Sequence, residues 1–513
     1  MRLWTWIVLL ATGCNSAASQ TQSTDGLVVL VVIDQWPEWA FEAKRPYLHA
    51  GGFDRLLSEG DWHVGRHPSA VTLTAPGHAL LGTGEPTARS GIVANEWWHR
   101  DAGRVLKSVE GERGEVTATW LRVPGLGDSI EGAHRGGKAV SVSLKDRAAV
   151  LPLGHAGTAI WYDPKTVDWQ STARPPWLAD WNRTNPIALH LHDVWTPLDP
   201  ESLRQLSRRR DYEIGEVGEK GFGATFPHAL DRTKAPAEAV FATPMGNDLI
   251  FDTAVAAVDG EGLGRDDVPD LLVISLSAHD YIAHGWGHES WESWDATMRL
   301  DRRLAVFMDE LDRKVGSKRW SMIVTSDHGA SRLPELAGGG RQTFTQIAAV
   351  ANTAAVGILG PGTWIAEAKF PTVYLSDPAL ADPRHEQVVA RVVAALREMP
   401  GLDRVEPVAS LVGHCETRQG DDRALCLGLD PERSGEVLYM PRTGWILEDD
   451  DEPLATAHGS QHDYDQQVPV VVLTPGRTTH RPMGGPGPEP VAMEDVAGML
   501  AGWLHVVAPR DLR

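Results

Sequence analysis

The sequence predicts an α/β protein with a central, mostly parallel β-sheet flanked by helices. Three apolar runs rich in β-branched residues, at positions 27–33, 270–276 and 320–325, have the composition of strands that are buried on both faces. Helical periodicity follows the first run, and residues 289–315 between the other two have the apolar spacing of a long amphipathic helix. Strands that alternate with helices in this way build a parallel sheet covered by helices.

Length and charge limit the classes of function. The chain has 513 residues, and no long linker, repeat or low-complexity tract divides it, so we expect one large domain over residues 26–510 with insertions. Its 69 Asp and Glu residues outnumber 48 Lys and Arg residues, which gives a formal net charge of -21. This charge argues against a nucleic-acid partner, and any phosphate site must be made positive locally.

The N-terminal segment has the pattern of an export signal. Residues 1–14 contain one Arg, an apolar run too short to span a bilayer and small residues before Cys14. The end of this segment resembles a bacterial lipobox, in which Cys14 is lipidated and becomes the mature N-terminus. Plain cleavage into the periplasm is the alternative, and both remain open. We therefore expect a periplasmic protein or an outer-membrane or cell-surface lipoprotein, with residues 15–25 as a tether.

Two segments are predicted to be insertions in the main domain. Residues 96–240 are rich in Trp and irregular, and we interpret them as a cap over the site. Residues 365–445 contain strand, helix and strand patterns that predict a small α+β subdomain, to which we assign no catalytic role. This subdomain carries Cys415 and Cys426, and in an exported protein two cysteines separated by a polar loop favour a local disulfide over a metal site.

A hydroxyl at a predicted helix start is the candidate nucleophile. Thr74 precedes the sequence Ala-Pro-Gly-His-Ala, which has the pattern of a first helical turn with Pro where no N–H is needed. A hydroxyl there would lie at the positive end of a helix, where it can meet an anion. Taken alone, Thr74 is also interpretable as a simple N-cap, and Asn95, one loop later, as a turn former.

Acidic and imidazole side chains lie close in sequence to the ends of the predicted buried strands. They are Asp34, Asp280, His284, Asp327, His328 and His458. Because ligands bind at the carboxyl ends of strands in open α/β sheets, we expect these side chains at one edge. Asp280 and His284 share a face if their segment is helical, although a different register would replace His284 by His288. Carboxylate and imidazole groups together favour zinc.

The order of these motifs along the chain resembles that of the alkaline phosphatase superfamily. The order is Asp34, Thr-Ala-Pro-Gly-His from Thr74, Asp280-x-x-x-His284, Asp-His-Gly from Asp327 and His-Gly-Ser from His458. The likeness is to the branch that contains nucleotide pyrophosphatase/phosphodiesterases and phosphate-irrepressible bacterial alkaline phosphatases, and it covers about residues 27–473. It implies an alkaline-phosphatase-like sandwich fold, a phosphothreonine intermediate formed on Thr74 and an amide of Asn95 that donates to a phosphoryl oxygen. It also implies two zinc ions, one held by Asp280, His284 and His458, the other by Asp34, Asp327, His328 and the Thr74 oxygen.

A Lys-x-Arg segment favours monoesters as substrates. Lys145 and Arg147 resemble the pair that holds the oxygens of a terminal phosphate in the irrepressible alkaline phosphatases. A monoester dianion has one more exposed charged oxygen than a diester, so such a pair should favour the monoester. We therefore expect an exported zinc-dependent phosphomonoesterase that acts on small phosphate esters.

Two other functions remain open at this point. The first is a phosphodiesterase or nucleotide pyrophosphatase on the same two-zinc scaffold. The second is a non-catalytic lipoprotein that keeps the fold as a binding module. Intact ligands, nucleophile, Asn95, Lys145 and Arg147 count against the second alternative.

Overall fold

The computed structural model describes residues 26–474 and 490–512, and the predicted signal and tether lie outside these ranges. The strands of the described residues are β1 Leu27–Ile33, β2 Asp61–Arg66, β3 Glu96–His99, β4 Arg104–Lys107, β5 Ala139–Ser143, β6 Thr158–Asp163, β7 Asp168–Ser171, β8 Val194–Trp195, β9 His228–Ala229, β10 Asp270–Leu276, β11 Trp320–Thr325, β12 Arg341–Thr343, β13 Ile365–Lys369, β14 Thr372–Leu375, β15 Leu402–Pro407, β16 Val437–Pro441, β17 Ile446–Glu448, β18 Gln467–Leu473 and β19 Val491–Ala492.

The α-helices lie between these strands and pack on them. In the same ranges they are α1 Glu38–Lys44, α2 Gly52–Glu59, α3 Thr74–Thr83, α4 Thr87–Ser90, α5 Leu126–Gly132, α6 Asp146–Val150, α7 Pro176–Thr184, α8 Pro200–Ser207, α9 Pro236–Ala239, α10 Pro244–Glu261, α11 Ala278–Trp286, α12 Trp291–Leu311, α13 Pro334–Ala337, α14 Phe344–Leu359, α15 Asp377–Ala381, α16 His385–Leu396, α17 Val408–Leu411, α18 Gly420–Leu427, α19 Asp463–Gln466 and α20 Val496–Leu504. Within the described ranges, none of these helices has both the length and the apolarity to cross a bilayer.

A nine-stranded sheet forms the centre of the molecule, with the strand order β19-β2-β18-β11-β1-β10-β5-β6-β7. The strand β1 pairs in parallel with β10 on one side and with β11 on the other. Beyond β10, the strands β5 and β6 continue the parallel arrangement. Antiparallel pairing appears where β18 meets β11 and β2 and where β7 meets β6. The predicted fold class, a mostly parallel sheet flanked by helices, is confirmed.

The central strand explains why its sequence is continuously apolar. Every residue of β1 is fully buried, and alternate side chains point into two different cores. Val28, Leu30 and Val32 face the core that includes α3 and α20, whereas Leu27, Val29, Val31 and Ile33 face the core that includes α10 and α12. Full burial of such a side chain contributes roughly 1.5–3 kcal/mol to the free energy of unfolding, so a polar residue at either face of β1 would lower the stability of the protein. The strand is therefore a rigid base for the residues that follow it.

The direction of β18 determines where His458 lies. This strand runs antiparallel to β11, with Val471 opposite Val324 and Leu473 opposite Met322. The start of β18 therefore lies at the edge where β11 ends. As a result, the segment before β18, which contains His458, reaches the same edge as the residues after β1, β10 and β11.

The predicted cap over residues 96–240 differs from the structure. The strands β5, β6 and β7 lie within this segment, but they belong to the main sheet and not to an insertion. Two serines interrupt the apolar pattern of β5, although both are buried with their hydroxyls hydrogen-bonded, Ser141 to Ala149 O and Ser143 to Ser277 Oγ. These internal hydrogen bonds satisfy the polar groups, so a strand forms where the composition alone does not indicate one.

A second, four-stranded sheet has the order β13-β14-β16-β15 and packs with α14 and α16 around its own core. This small α+β unit begins with α14 at residue 344, which is earlier than the predicted start at residue 365. The predicted disulfide is confirmed: Cys415 and Cys426 are bonded, and their Cα atoms lie 5.5 Å apart.

We predict that the packing of α3 against the backbone of Pro152 does not tolerate one added methyl group. A Cβ at Gly82 would lie 2.3 Å from both Cα and O of Pro152. Gly82→Ala should therefore lower the thermal unfolding midpoint, because such overpacking costs about 1–3 kcal/mol. Gly357→Ala is the matched control, since the space around Gly357, an exposed position in α14, is open to 4 Å. The control should be neutral or stabilising by about 0.5–1 kcal/mol. Equal midpoints for Gly82→Ala and the wild type would contradict this packing.

Candidate active site

The structure brings the six predicted metal ligands together at the carboxyl edge of the main sheet. They form two groups, and within each group the ligand atoms lie within 4.8 Å of one another. One group contains Asp280, His284 and His458, and the other contains Asp34, Asp327 and His328.

The first group is built on a helical turn. Asp280 and His284 lie on α11, one turn apart, so that Asp280 Oδ1 is 3.2 Å from His284 Nε2. His458 Nε2 is 3.8 Å from the same carboxylate oxygen. His288 lies beyond the end of α11, where its ring centroid is 5.6 Å from that of His279. The register that includes His284 is therefore the one that the structure adopts.

The second group lies between the ends of β1 and β11. His328 Nε2 is 3.6 Å from Asp34 Oδ1 and 3.4 Å from Asp327 Oδ2. All three side chains are fully buried. The backbone N–H of Gln35 donates to Asp327 Oδ1 at 3.2 Å, which fixes one carboxylate oxygen and leaves the other towards His328.

Backbone carbonyls orient the three imidazole rings. The Nδ1 atoms of His284, His328 and His458 lie 2.8, 3.0 and 2.7 Å from the carbonyl oxygens of Thr456, Gly329 and Thr72, respectively. Because a carbonyl oxygen only accepts hydrogen bonds, each Nδ1 must carry the proton. Each Nε2 then presents its lone pair, which is the arrangement of a metal-ligating histidine.

Unsatisfied atoms indicate that the second group suits a cation. Asp34 Oδ1 and His328 Nε2 are buried and have no hydrogen-bond partner within the described residues. An unpaired carboxylate oxygen next to an imidazole lone pair is unfavourable in a buried site, because neither atom can donate a proton to the other. A bound metal ion would satisfy both atoms, so the residues present fit such a group.

Lys145 links the two groups. Its Nζ lies 2.7 Å from Asp34 Oδ2, 2.6 Å from Asp280 Oδ2 and 3.5 Å from Thr74 Oγ1. Burial alone would lower the pKa of Lys145, but the carboxylates of Asp280 and Asp34 raise the pKa above its ordinary value. Lys145 therefore remains a cation and compensates one carboxylate from each group.

The three buried carboxylates have different proton affinities. Burial and the neighbouring Asp327 raise the pKa of Asp34 well above its ordinary value. Burial also opposes ionisation of Asp280, but Lys145 and His284 hold its pKa well below the usual range. The pKa of Asp327 is likewise lowered against the effect of burial, by His328 and then His78. Asp280 and Asp327 therefore favour the ionised form, which attracts cations.

Thr74 is the first residue of α3, with Leu73 at the N-cap position, so the simple N-cap interpretation of Thr74 does not hold. Its side chain is buried within the site. The N–H of Ala75 donates to Asn95 Oδ1 at 2.8 Å. This bond fixes the Asn95 amide and leaves its NH₂ group as a donor for a ligand.

Arg147 lies on α6, close to Lys145, and its Nε has no hydrogen-bond partner in the part of the chain that is described. The ring of Tyr281, on α11, faces Lys145 Nζ at 5.0 Å from the ring centroid. The two candidate metal-ligand groups are thus surrounded by the predicted residues Thr74, Asn95 and Lys145. Arg147 lies two residues after Lys145, in α6.

Two further residues, which were not predicted from the sequence, hold the candidate ligands in place. Gln35 Nε2 donates to Asp280 Oδ1 at 3.0 Å and lies 3.0 Å from His284 Nε2. His78 Nδ1 is 3.1 Å from Asp327 Oδ2, and its Nε2 is 2.8 Å from Ser275 Oγ. The signals were present, because Gln35 directly follows Asp34 and His78 ends the Thr-Ala-Pro-Gly-His motif.

A cavity of about 220 Å³ opens beside His284 and His458 of the first group. Asn95, His284 and His458 contribute to its wall on the side of the main domain, and Lys369 and Phe370 on the side of the small subdomain. That subdomain, to which the sequence assigned no catalytic role, therefore forms part of the site's surroundings.

Comparison with known proteins gives one family match along most of the chain. A sequence model described as type I phosphodiesterase / nucleotide pyrophosphatase matches residues 28–465. Alkaline phosphatase PafA from Elizabethkingia meningoseptica is 28% identical over 517 residues, which cover 94% of this chain and 92% of that protein. A protein named calcium-transporting ATPase from Myroides odoratus is 28% identical over 529 residues, which cover 96% of this chain and 94% of that protein.

A solved structure supports the same conclusion about the fold. The crystal structure of alkaline phosphatase PafA superposes with a TM-score of 0.84 at 26% sequence identity, covering 94% of this chain and 96% of that chain. The predicted fold and the predicted superfamily resemblance are thereby confirmed.

We predict that the two ligand groups bind metal separately. Purified wild-type protein should contain two zinc ions per chain by elemental analysis, because each group offers carboxylate and imidazole ligands. His458→Ala should lose the ion of its own group and retain the other. His462→Ala is the control, because His462 lies close in sequence but bonds to Pro441 O at 3.0 Å and belongs to neither group. Equal zinc contents in the two variants would show that His458 is not a ligand.

Proposed function

This chain is a phosphoesterase of the type I phosphodiesterase / nucleotide pyrophosphatase family, and we propose that it is an exported, zinc-dependent alkaline phosphatase that acts on phosphate monoesters. One observation carries the choice of monoesters: Lys145 Nζ lies between the two ligand groups and 3.5 Å from Thr74 Oγ1. A fixed ammonium beside the attacking oxygen is placed to bind the additional charged oxygen of a monoester.

The ligand types support zinc, since carboxylate and imidazole are its preferred oxygen and nitrogen donors. Two zinc ions would supply positive charge to the phosphoryl oxygens and lower the pKa of the hydroxyl and the water that attack phosphorus. The orientation of the three histidines, each with Nδ1 bonded to a carbonyl, supports this assignment.

In the first step, Thr74 Oγ1 attacks the phosphorus atom in line with the departing alcohol. Oγ1 gives its proton to water as its new bond to phosphorus forms, the bond from phosphorus to the ester oxygen breaks, and the alcohol oxygen takes a proton from water, so the number of protons is unchanged. The position of Thr74 at the start of α3 favours an anion there, because the N-terminus is the positive end of the helix dipole. The product on the protein is a phosphothreonine.

In the second step, water attacks the same phosphorus atom from the side that the alcohol has left. The bond from phosphorus to Thr74 Oγ1 breaks, inorganic phosphate is released and the hydroxyl recovers its proton. Asn95 supports both steps: since its Oδ1 accepts from Ala75 N, its NH₂ group is held as a donor to a phosphoryl oxygen.

The ammonium of Lys145 can pair either with the carboxylates of the site or with a phosphoryl oxygen. In the structure its ammonium compensates Asp34 and Asp280. Cations at the two ligand groups would compensate these carboxylates instead, which frees the ammonium for a phosphoryl oxygen. Arg147, whose Nε lacks a partner within the described ranges, would donate to a second oxygen. A diester has one of these oxygens capped by carbon, so it gains less from this pair.

A disulfide bond within the described residues supports export. The bond between Cys415 and Cys426 is of the kind that persists in an oxidising compartment such as the periplasm. The N-terminal signal and Cys14 lie outside the described ranges, so the proposal includes both lipidation of Cys14 and plain cleavage of the signal.

We predict that Thr74→Ala removes nearly all turnover of p-nitrophenyl phosphate while zinc content and the unfolding midpoint stay close to wild type. The reason is that six other side chains form the ligand groups. Thr83→Ala is the matched control, because Thr83 is a buried threonine at the opposite end of α3, where its hydroxyl donates to Ala79 O. Near-normal turnover by Thr74→Ala would mean that water attacks the substrate directly.

We also predict that Lys145 and Arg147 set the choice of substrate. Charge-assisted hydrogen bonds contribute roughly 1.5–3 kcal/mol each, so the double variant Lys145→Ala/Arg147→Ala should reduce kcat/KM for p-nitrophenyl phosphate by about two to four powers of ten. Hydrolysis of bis-p-nitrophenyl phosphate should fall far less. The control Lys165→Ala/Arg183→Ala removes two exposed cations and should change neither rate. An equal loss for both esters in the Lys145/Arg147 variant would favour the phosphodiesterase alternative.

A further inference from the structure

The cavity beside His284 and His458 offers space for the alcohol portion of a substrate. It shares Asn95, His284 and His458 with the site, so the alcohol of an ester bound there has room to extend into this space. The far wall comes from the small subdomain and from the segment after it. The side chains of this wall would therefore affect which alcohol is accepted as the leaving group, and not how the phosphoryl group is bound.

Aromatic rings line this cavity. Phe344, Phe370, Trp445 and Tyr464 all contribute to its wall. Phe370 lies against the backbone next to a ligand: a Cβ built at Gly459, which has φ +118, would stand 2.7 Å from Phe370 Cε1. Because Gly459 follows His458 directly, the aromatic wall begins at the metal-ligand group itself.

Acidic side chains outnumber basic ones in the lining of the cavity. Among the described lining residues, five carboxylates accompany one ammonium group, and these side chains are Glu96, Glu448, Asp449, Glu452, Asp465 and Lys369. Lys369 Nζ is committed mainly to Glu96, at 2.7 Å, and lies 3.9 Å from Asp449. Glu452 is exposed. Asp449 therefore shares one ammonium with Glu96, and the exposed Glu452 forms no ion pair among the described residues, which leaves a net negative charge on this side of the cavity.

A buried atom without a partner gives independent evidence for a ligand. Asp465 is 1% exposed and lines the cavity, and its Oδ1 has no hydrogen-bond partner within the described residues. The other oxygen, Oδ2, accepts from the N–H of Ser460 at 2.8 Å and from its hydroxyl. The carboxylate is therefore held in a fixed orientation with one acceptor unused.

We propose that this cavity binds a leaving group that carries a cationic ammonium, so that the preferred substrates are phosphate monoesters of amino alcohols. Aromatic faces and carboxylates together are the recognition chemistry of quaternary and primary ammonium groups. The same negative charge disfavours alcohols that carry a carboxylate or a further phosphate. This inference rests on the proposed phosphatase function and adds the class of substrate to it.

The test compares two esters of equal shape and different charge. Phosphocholine has a quaternary ammonium, and 3,3-dimethylbutyl phosphate replaces its nitrogen by carbon. The wild type should hydrolyse phosphocholine with a kcat/KM higher by about three- to thirtyfold, which corresponds to cation–π and charge interactions of the usual strength. The preference should decrease as salt concentration rises, since the carboxylates at the exposed side of the cavity are screened.

Matched variants separate the cavity from the charge of the whole protein. Asp449→Asn/Glu452→Gln should reduce the preference to near one. Asp450→Asn/Asp451→Asn removes the same charge from the intervening residues, which do not line the cavity, and should preserve the preference. Choline should also inhibit hydrolysis of p-nitrophenyl phosphate more strongly than 3,3-dimethylbutanol, which provides a measurement on the unaltered protein.

The possible outcomes distinguish this inference from the proposed function. If the protein hydrolyses p-nitrophenyl phosphate but shows no preference for phosphocholine and no inhibition by choline, the inference is wrong and the phosphatase function stands. An equal loss of preference in both double variants would assign the effect to overall charge and would also overturn the inference. Failure to hydrolyse p-nitrophenyl phosphate and the other two esters would refute both proposals.

Discussion

Repulsion among three buried carboxylates is the constraint on which the rest of the site depends. Asp34, Asp280 and Asp327 are all within 5% of full burial, and isolated charges in such surroundings are strongly unfavourable. Fixed donors and cations reduce this repulsion: Gln35 donates to Asp280 and Asp327, and the ammonium of Lys145 contacts Asp34 and Asp280, so each contacts a carboxylate of both ligand groups. Charge compensation by Lys145, by imidazoles and by the proposed zinc ions is therefore one interdependent arrangement, in which each cation changes what the others can bind.

The sheet makes this arrangement possible because it is rigid before any ligand arrives. Three parallel strands place Asp34, Asp280 and Asp327 at one edge, and the antiparallel β18 returns His458 to that edge. Backbone carbonyls orient the histidines, so their lone pairs need no reorganisation. A site that is preorganised in this way can stabilise developing charge on a phosphoryl group without first paying to order its own side chains.

The parts predicted from sequence are those with a local signature. The bounds of β1, β10 and β11 coincide with the apolar runs at 27–33, 270–276 and 320–325, since strands buried on both faces require continuous apolar residues. The six candidate metal ligands were predicted from their positions at strand ends and from their order along the chain. Strand β5 was missed because serines interrupt it, and the contacts of Gln35 and the wall formed by Phe370 were missed because they depend on segments that are distant along the chain.

The decisive measurement is a crystal structure of the purified protein with inorganic phosphate, using anomalous diffraction at the zinc absorption edge. We expect two zinc peaks, one among Asp280, His284 and His458 and one among Asp34, Asp327 and His328. We also expect that Lys145 Nζ contacts a phosphate oxygen and no longer pairs with both carboxylates. A single peak, or phosphate bound away from Lys145 while the ion pairs with Asp34 and Asp280 persist, would contradict the proposed two-zinc phosphatase site.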